Sequence, residues 1–417
     1  MNATSKRELD ARVLLIAPPA SYRIAAYASA AERLDIELIV ASSGEHSLVT
    51  AVATGLQIDF SQPDLALRTI EAAHRHSPFC AVIASEDATV ELASRAAEVL
   101  QLPHNSPLSA RIASRKDLAR EAQAAAGLNV PEFRVVDLHG PPDWSRFPCV
   151  IKPLALSGSR GVMRADDAAE LEGRRAQLLQ LFANNVGLPY PTQALVESFI
   201  PGQEVALEGM LVEGVLEVLA IFDKPEPLNG PYFEETYYVT PSRLAEETQA
   251  AVAATAQDVC LAYGLRTGPI HAEFRVNDDG VWPLELAART IGGDCARLLQ
   301  FGAGHGLEDI VLARALDIPL AYVGDGAAGG VLMIPIEKTG VLRRVEGVLD
   351  AQKVPYVEDV FIAAREGHEL IALPDGSSYL GFVFARAPDS ATVEAALREA
   401  HARLNIVIAP MWRIQFA

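Results

Sequence analysis

The chain has 417 residues, of which 50% are hydrophobic and 21% charged, and its formal net charge is −19. This length fits two to four structural units with sizeable cores rather than one domain. The acidic balance argues against a nucleic-acid partner, because phosphate backbones are bound by clustered Lys and Arg. A membrane partner is not expected either, since no apolar run reaches the roughly 20 residues of a membrane-spanning helix.

The N-terminal segment and the cysteines indicate the compartment. The first twelve residues are polar and lack the apolar core of a secretory signal. The four cysteines, Cys80, Cys149, Cys260 and Cys295, lie far apart and form no C-x-x-C pair. This spacing favours free thiols over structural zinc. We therefore expect a cytoplasmic protein.

The first hundred residues alternate between apolar runs and helical patterns. Runs at 12–18, 37–41 and 81–85 predict buried strands, and helices are predicted at 21–34 and 86–100. Strands that alternate with helices predict a parallel sheet with right-handed crossovers. The first turn, 18–21, contains no glycine, so it is not the G-x-G-x-x-G phosphate turn. A Rossmann-like domain without a dinucleotide site is predicted over 1–112.

Further along the chain the pattern becomes mixed. The sequence predicts a helix over 108–126, a strand over 149–152, helices over 168–183 and 246–263, strands between 194 and 221, and a hairpin at 278–280. The glycine-rich segment 324–330 predicts a linker, followed by a closing lobe of mixed strand and helix. We predict an α/β chain with units at 1–112, 113–198, 199–324 and 325–417.

The first candidate site is a lysine that ends a strand. Lys152 closes an apolar strand just before the loop 157–161, Ser-Gly-Ser-Arg-Gly. Small residues let backbone N–H groups approach phosphate oxygens, and the ammonium group supplies positive charge. Lys116, on the preceding helix, could reach the same phosphates. Taken singly, each feature is more often a solvated lysine or an ordinary turn.

Two further segments carry acidic residues. A strand that ends at Glu197 is followed by a short hinge and Glu204, an arrangement that could hold a nucleoside. Glu273 and Glu285 stand on the two predicted strands of the 278–280 hairpin, so they can lie side by side. Two neighbouring carboxylates favour a divalent cation such as Mg²⁺. Arg289 follows and could bind an oxyanion, or simply pair with Glu285.

Together and in this order, these features resemble the ATP-grasp superfamily. The segment 230–243, with 339–347 and 379–383, is similar to its L-amino-acid ligase branch. The resemblance implies an ATP-grasp fold with an N-terminal Rossmann-like (pre-ATP-grasp) lobe and a C-terminal α+β lobe. It further implies that ATP and Mg²⁺, or Mn²⁺, are the cofactors.

The same resemblance implies a role for each site residue. Phosphates would meet Lys116, Lys152 and the loop with Ser157, Ser159 and Gly161. Adenine would meet the backbone of Glu197 and Phe199, and ribose would meet Glu204. Metal ligands would be Glu273 and Glu285, and Arg289 would bind an acyl phosphate. Many members carry Asn at the position of Ala287, so the number of metal ions stays open.

The implied activity is the ATP-dependent joining of a small carboxylate, such as an amino acid, to an amine through an acyl phosphate. His271 could accept the proton of the amine, or it could be a hydrogen-bonded core residue. Gly292 and Gly293 leave space for an acid larger than alanine. A biotin-carboxylase-like enzyme, another metabolite-specific ATP-grasp ligase and a non-catalytic nucleotide-binding protein remain alternatives. The oligomeric state is open, with a homodimer among the options.

Overall fold

The computed structural model describes residues 11–19, 21–44, 54–299, 304–320, 326–376 and 378–411. Part of the linker predicted at 324–330 lies outside these residues. Residues 328–330 belong to a strand instead, because they pair with both neighbouring strands of a sheet. No helix in the described ranges is long and apolar enough to cross a bilayer.

The N-terminal region forms the predicted parallel sheet. Its strands are β1 (Arg12–Ile16), β2 (Glu37–Ser42), β3 (Thr54–Gln57) and β4 (Ala81–Ala84), in the order β3-β2-β1-β4. The helices are α1 (Arg23–Arg33), α2 (Pro63–His76) and α3 (Asp87–Val99). The side chains of β1 after Arg12 are buried, as expected for a strand with helices over the sheet. This confirms the alternation of strands and helices.

The helix predicted over 108–126 is two helices. They are α4 (Pro107–Ser114) and α5 (Lys116–Ala125), and Arg115 between them has extended backbone angles (φ −125°, ψ 110°). Ser106 caps α4 by accepting a hydrogen bond from the Ser109 N–H. The Lys116 N–H donates to the carbonyl of Leu154 at 2.9 Å. The break therefore places Lys116 at a helix start beside the glycine-containing loop.

The second sheet is antiparallel and carries this loop. It contains β5 (Phe133–Asp137), β6 (Cys149–Pro153), β7 (Met163–Ala165) and β8 (Gln193–Ser198), in the order β5-β8-β6-β7. Helix α6 (Ala168–Asn184) packs on it, and Asp167 caps that helix. Because β6 and β8 are antiparallel neighbours, Val150 pairs with Glu197 and Lys152 pairs with Leu195, so Lys152 and Glu197 are diagonal neighbours on one face of the sheet.

The remaining elements build the central sheet and its flank. They are β9 (Gln203–Val212), β10 (Val215–Lys224), β11 (Tyr237–Thr240), α7 (Glu246–Tyr263), β12 (Gly268–Asn277), β13 (Gly280–Ala287), α8 (Leu307–Ala315), β14 (Ala328–Ile334), β15 (Gly340–Glu346), α9 (Val348–Ala351), β16 (Val357–Ile362), β17 (Glu369–Leu370), β18 (Gly381–Ala387), α10 (Ser390–Ala402) and β19 (Asn405–Ala409). A short 3-10 helix spans Cys295–Leu298.

Eight strands form one sheet in the order β13-β12-β9-β10-β11-β14-β18-β16, and β17-β15-β19 form a small separate sheet. Strands from the region predicted as a closing lobe thus continue the central sheet. One hydrophobic core joins the N-terminal sheet and α1 to α8 and the central sheet, including Tyr27, Phe222 and Met333. This shared core holds the N-terminal lobe against the loop that follows β13.

Candidate functional site

A cavity lies between the second sheet, the central sheet and the loop after β13. Its walls contain every candidate site residue except Gly161, namely Lys116, Lys152, Ser157, Ser159, Glu197, Phe199, Glu204, His271, Glu273, Glu285 and Arg289. These residues come from segments that are far apart in the sequence. The fold brings the predicted set together around one space.

Lys152 and Glu197 form a buried charge network with Arg120. The Lys152 ammonium contacts Oε1 of Glu197, and Nε of Arg120 donates to Oε2 at 2.9 Å. Burial lowers the pKa of Lys152 to about 8, although Glu197 opposes this effect. Burial alone would raise the pKa of Glu197, but the two cations outweigh it and lower that pKa to about 2. The side chain of Glu197 therefore holds a cation of the cavity wall.

The glycine-containing loop has several residues in the left-handed backbone region. Gly158, Ser159 and Gly161 have positive φ angles of 64°, 54° and 72°. A Cβ on Gly161 would lie 2.9 Å from side-chain atoms of both Leu178 and Pro153, so glycine is required there. Gly161 is not part of the cavity wall, and its N–H donates to the carbonyl of Pro374 at 3.1 Å. Its contribution is to shape the loop.

The hinge after β8 differs from the expected adenine contact at Phe199. The Phe199 N–H donates to the carbonyl of Pro148 at 2.9 Å, so this donor is not available to a base. The ring of Phe199 lines the cavity and lies 6.4 Å from that of Phe233. In the described residues the N–H of Ile200, also in the cavity wall, has no acceptor. The backbone donor at this hinge is therefore on Ile200.

Glu204 belongs to a group of acids around Lys224 that the sequence analysis did not identify. The Lys224 ammonium contacts Glu204 at 3.0 Å, Glu235 at 2.9 Å and Glu273 at 2.8 Å. Oε2 of Glu204 also accepts from Nε of Arg275 at 3.0 Å. The three carboxylates lie close enough to share one metal ion. Lys224 ends an apolar strand as Lys152 does, and that signal could have identified it.

The charges in this group are strongly coupled. Burial alone would lower the pKa of Lys224, but Glu235 and Glu273 raise it well above its ordinary value. Burial and the neighbouring Glu273 raise the pKa of Glu235 to about 7. Lys224 and His271 outweigh burial at Glu273 and keep its pKa well below the ordinary value. Glu273 is thus a carboxylate anion that faces the cavity.

Glu273 and Glu285 are direct partners across the β12–β13 hairpin. Directly opposed residues of antiparallel strands point to the same face, which is the predicted side-by-side arrangement. Oε1 of Glu285 accepts from the Lys116 ammonium at 3.2 Å. Ala287 also lies in the cavity wall, and its methyl group offers no oxygen ligand. The hairpin therefore presents two carboxylates to the cavity.

His271 lies between two carboxylates. Its Nδ1 lies 3.2 Å from Glu208 and its Nε2 lies 3.4 Å from Glu273. Burial alone would lower the pKa of His271, but these two carboxylates outweigh it and raise the pKa. Both ring nitrogens thus face carboxylates, which fits the alternative of a hydrogen-bonded core histidine. The role of His271 as a base stays a prediction.

Arg289 faces the cavity from the loop after β13. Its Nη2 donates to Oδ2 of Asp87 at 2.8 Å, and its Nη1 donates to the carbonyl of Thr290 at 2.9 Å. The alternative pairing with Glu285 is not the arrangement found. Burial opposes the charge of Arg289, but Asp87 outweighs it and raises the pKa above its ordinary value. Asp87 was not identified from the sequence because it lies 202 residues away.

The space predicted beside Gly292 and Gly293 is partly filled. A Cβ on Gly293 would lie 2.2 Å from Sδ of Met333, so the thioether already occupies this position. A Cβ on Gly292 would lie 3.7 Å from the hydroxyl of Tyr22. Gly293, Met333 and Tyr379 all line this end of the cavity. The space available there is therefore set by Met333 as well as by the glycines.

Comparison with protein families identifies the fold that carries this cavity. A model described as ATP-grasp domain matches residues 145–297, and one described as ATP-grasp N-terminal domain matches residues 28–104. The chain belongs to the ATP-grasp superfamily. A model described as L-amino acid ligase C-terminal domain 2 matches residues 332–409. The ATP-grasp fold expected from the sequence is confirmed.

Individual relatives agree with this assignment. The crystal structure of L-amino acid ligase from Bacillus licheniformis has the same ATP-grasp fold, with a TM-score of 0.79 and 24% identity over 96% of this chain and 99% of that one. The uncharacterized protein y4rH of Sinorhizobium fredii (strain NBRC 101917 / NGR234) is 27% identical over 74% of this chain. D-alanine–D-alanine ligase of Methylorubrum extorquens (strain PA1) is 29% identical over 46% of it. These two matches span 64% and 58% of the relatives' own lengths.

Proposed function

We propose that this protein is an ATP-dependent carboxylate–amine ligase that joins small acids, amino acids among them, to an amine through an acyl phosphate. The observation that carries the proposal is the grouping of Lys116, Lys152, Glu273, Glu285 and Arg289 in one cavity wall. Cations for phosphates, paired carboxylates for a metal and an arginine for an oxyanion are the groups that this chemistry needs. The family assignment and the L-amino acid ligase domain match support it.

ATP is proposed to enter with adenine at the hinge and phosphates toward the loop. The carbonyl of Glu197 and the N–H of Ile200 would meet the adenine edge. Lys152 and Lys116 would neutralise phosphate oxygens, and the loop with Ser157 and Ser159 would cover them. When ATP binds, Glu197 keeps the Lys152 ammonium at this position.

Magnesium fits the carboxylates of the hairpin. Glu273 and Glu285 face the cavity from opposed positions, and the nearby ammonium groups of Lys224 and Lys116 show that this wall accommodates cations. We infer that the two carboxylates hold Mg²⁺, which would neutralise charge on the nucleotide's phosphates. Since Ala287 offers no oxygen, a single ion is the simplest stoichiometry.

The proposed reaction has two chemical steps, formation of the acyl phosphate and its attack by the amine. A carboxylate oxygen of the acid attacks the γ-phosphorus of ATP and forms a new P–O bond. The bond between the γ-phosphorus and the β–γ bridging oxygen breaks, and ADP leaves. The amine then attacks the acyl carbon, the C–N bond forms, the C–O bond to phosphate breaks, and the nitrogen passes a proton to the departing phosphate or to water. Arg289 would hold the acyl phosphate and the oxyanion that develops in the second step. Closure of the cavity would keep water from the acyl phosphate.

The test is product analysis with ATP, Mg²⁺ and pooled amino acids, by mass spectrometry and ADP release. Amide product that requires both ATP and an amine is the expected result. Arg289→Ala should abolish product while nucleotide binding persists. Arg344→Ala, a half-exposed arginine paired with Glu346 on β15, is the matched control and should keep full activity.

Three results would contradict this proposal. ADP release that depends on bicarbonate rather than an amine would indicate a biotin-carboxylase-like reaction. Nucleotide binding without turnover on any acid would indicate a non-catalytic binding protein. Full activity of the Arg289→Ala variant would show that the oxyanion is held elsewhere.

A further inference from the structure

The guanidinium of Arg289 is held by two acceptors and keeps donors to spare. One N–H goes to Asp87 at 2.8 Å and one to the carbonyl of Thr290 at 2.9 Å. A guanidinium carries five N–H donors in a rigid plane. Within the part of the chain that the structure describes, three of these donors make no bond to the protein and are left for a ligand, and their direction is fixed by the two bonds already made.

The two acceptors of Arg289 are not part of the cavity wall in the described residues. Arg289 is part of the cavity wall, whereas neither Asp87 nor Thr290 is among the wall residues in the described part of the chain. A carboxylate that competed with a bound anion would be part of the cavity wall. Since Asp87 is not part of that wall in the described residues, the remaining donors of Arg289 are available to a ligand in the cavity.

The N-terminal lobe holds the same loop at a second point. Arg23, a buried residue of α1, donates to the carbonyls of Ser85 at 2.6 Å and Ile291 at 2.9 Å. One residue thus bridges the end of β4 to the loop after Arg289. Because the lobes share a continuous core, the position of Asp87 relative to this loop is fixed. Asp87 therefore acts from a rigid support.

The charges of the pair support an oriented cation. Burial would raise the pKa of Asp87, but Arg289 outweighs it and lowers that pKa. The carboxylate is therefore ionised when it accepts the bond from Arg289, and a charge-assisted bond is stronger and shorter than a neutral one. Asparagine could accept the same bond without the charge, and alanine could not accept it at all.

We propose that Asp87, a residue of the N-terminal lobe, is a positioning residue that aims the guanidinium of Arg289 at the acyl phosphate. This inference deepens the proposed function and rests on it for its catalytic part. The N-terminal lobe then contributes directly to the geometry of the acyl-transfer step. Displacement of a catalytic group by about 1 Å can cost on the order of 100-fold in rate.

The kinetic test compares Asp87→Asn and Asp87→Ala with the wild-type protein. We expect kcat to fall about 10- to 100-fold in the alanine variant and less in the asparagine variant, while KM for ATP changes less than about 2-fold. If Asp87 contacted the amine instead, KM for the amine would rise while kcat at saturation stayed unchanged. That outcome, or a wild-type kcat in the alanine variant, would overturn the proposal.

A second readout needs no turnover. The rate at which phenylglyoxal modifies Arg289, followed by peptide mass spectrometry in the substrate-free protein, should rise several-fold in both Asp87 variants. The control is Glu91→Gln, also on α3, which removes an exposed ion pair with Arg111 of α4. Its Arg289 reactivity and kcat should match the wild type. An unchanged Arg289 reactivity in Asp87→Ala overturns the positioning role even if no ligase activity is ever found.

Discussion

Replacing Glu197 by glutamine tests the buried charge network beside the predicted phosphate site. Glu197 is 3% exposed and neutralises both Arg120 and Lys152. Glutamine has nearly the same shape, but it leaves two buried cations without an anion. Removing one partner of a buried ion pair costs about 3–5 kcal/mol. We expect the free energy of unfolding at pH 7 to fall by this amount.

The stability lost in the Glu197→Gln variant should decrease as pH rises, because of the pKa of Lys152. Lys152 has a folded-state pKa of about 8, below its ordinary value, and without Glu197 that pKa falls further. At a pH between the folded-state pKa of Lys152 in the variant and that in the wild type, Lys152 is neutral in the folded variant and still charged in the folded wild type. The difference in the free energy of unfolding between the two proteins therefore shrinks as pH rises. Within this pH interval the difference in the free energy of unfolding changes by about 1.4 kcal/mol per pH unit. The loss should be about 1 kcal/mol smaller at pH 9 than at pH 7.

Urea unfolding followed by circular dichroism at pH 7 and pH 9 measures both quantities. The control is Glu71→Gln, which removes an exposed ion pair with Arg75 on α2 and should leave the urea midpoint of unfolding unchanged at pH 7 and at pH 9. A loss below about 1 kcal/mol at pH 7 would refute the role of Glu197 as the shared counter-ion. So would a loss that grows between pH 7 and pH 9.

Three more outcomes are expected. MgATP should bind more weakly above about pH 8, because the free protein loses the proton of Lys152 there. Binding above that pH should therefore take up a proton, which calorimetry in buffers of different ionisation enthalpy would measure. Met333→Ala should raise kcat/KM for amino acids with large side chains, used as the acid substrate, about 10-fold relative to kcat/KM for alanine, because the Met333 thioether fills the space beside Gly293. A competition assay measures this ratio, and an unchanged ratio would contradict the prediction. Gly161→Ala should lower the free energy of unfolding by about 1–3 kcal/mol and weaken ATP binding, whereas Gly173→Ala, in α6 with no atom near its added Cβ, should not destabilise the protein.

The order of the chemical groups along the chain could be predicted from the sequence. The helix at 246–263, the strand that carries Lys152 and the hairpin that pairs Glu273 with Glu285 all follow from short-range patterns. Apolar periodicity and turn residues act over a few positions, so they are visible in one chain. The same patterns favoured a continuous helix through Arg115, where a tertiary bond from Lys116 to Leu154 instead accompanies the break.

The partners of the buried charges were decided only by the tertiary structure. His271 lies between Glu208 and Glu273, Lys224 collects three acids, and Arg289 meets Asp87 from another lobe. Local pattern cannot assign such pairs, because the cost of burying a charge depends on which opposite charges the fold brings within a few ångströms. The sequence determined which groups are present, and the packing of the sheets decided what each of them faces.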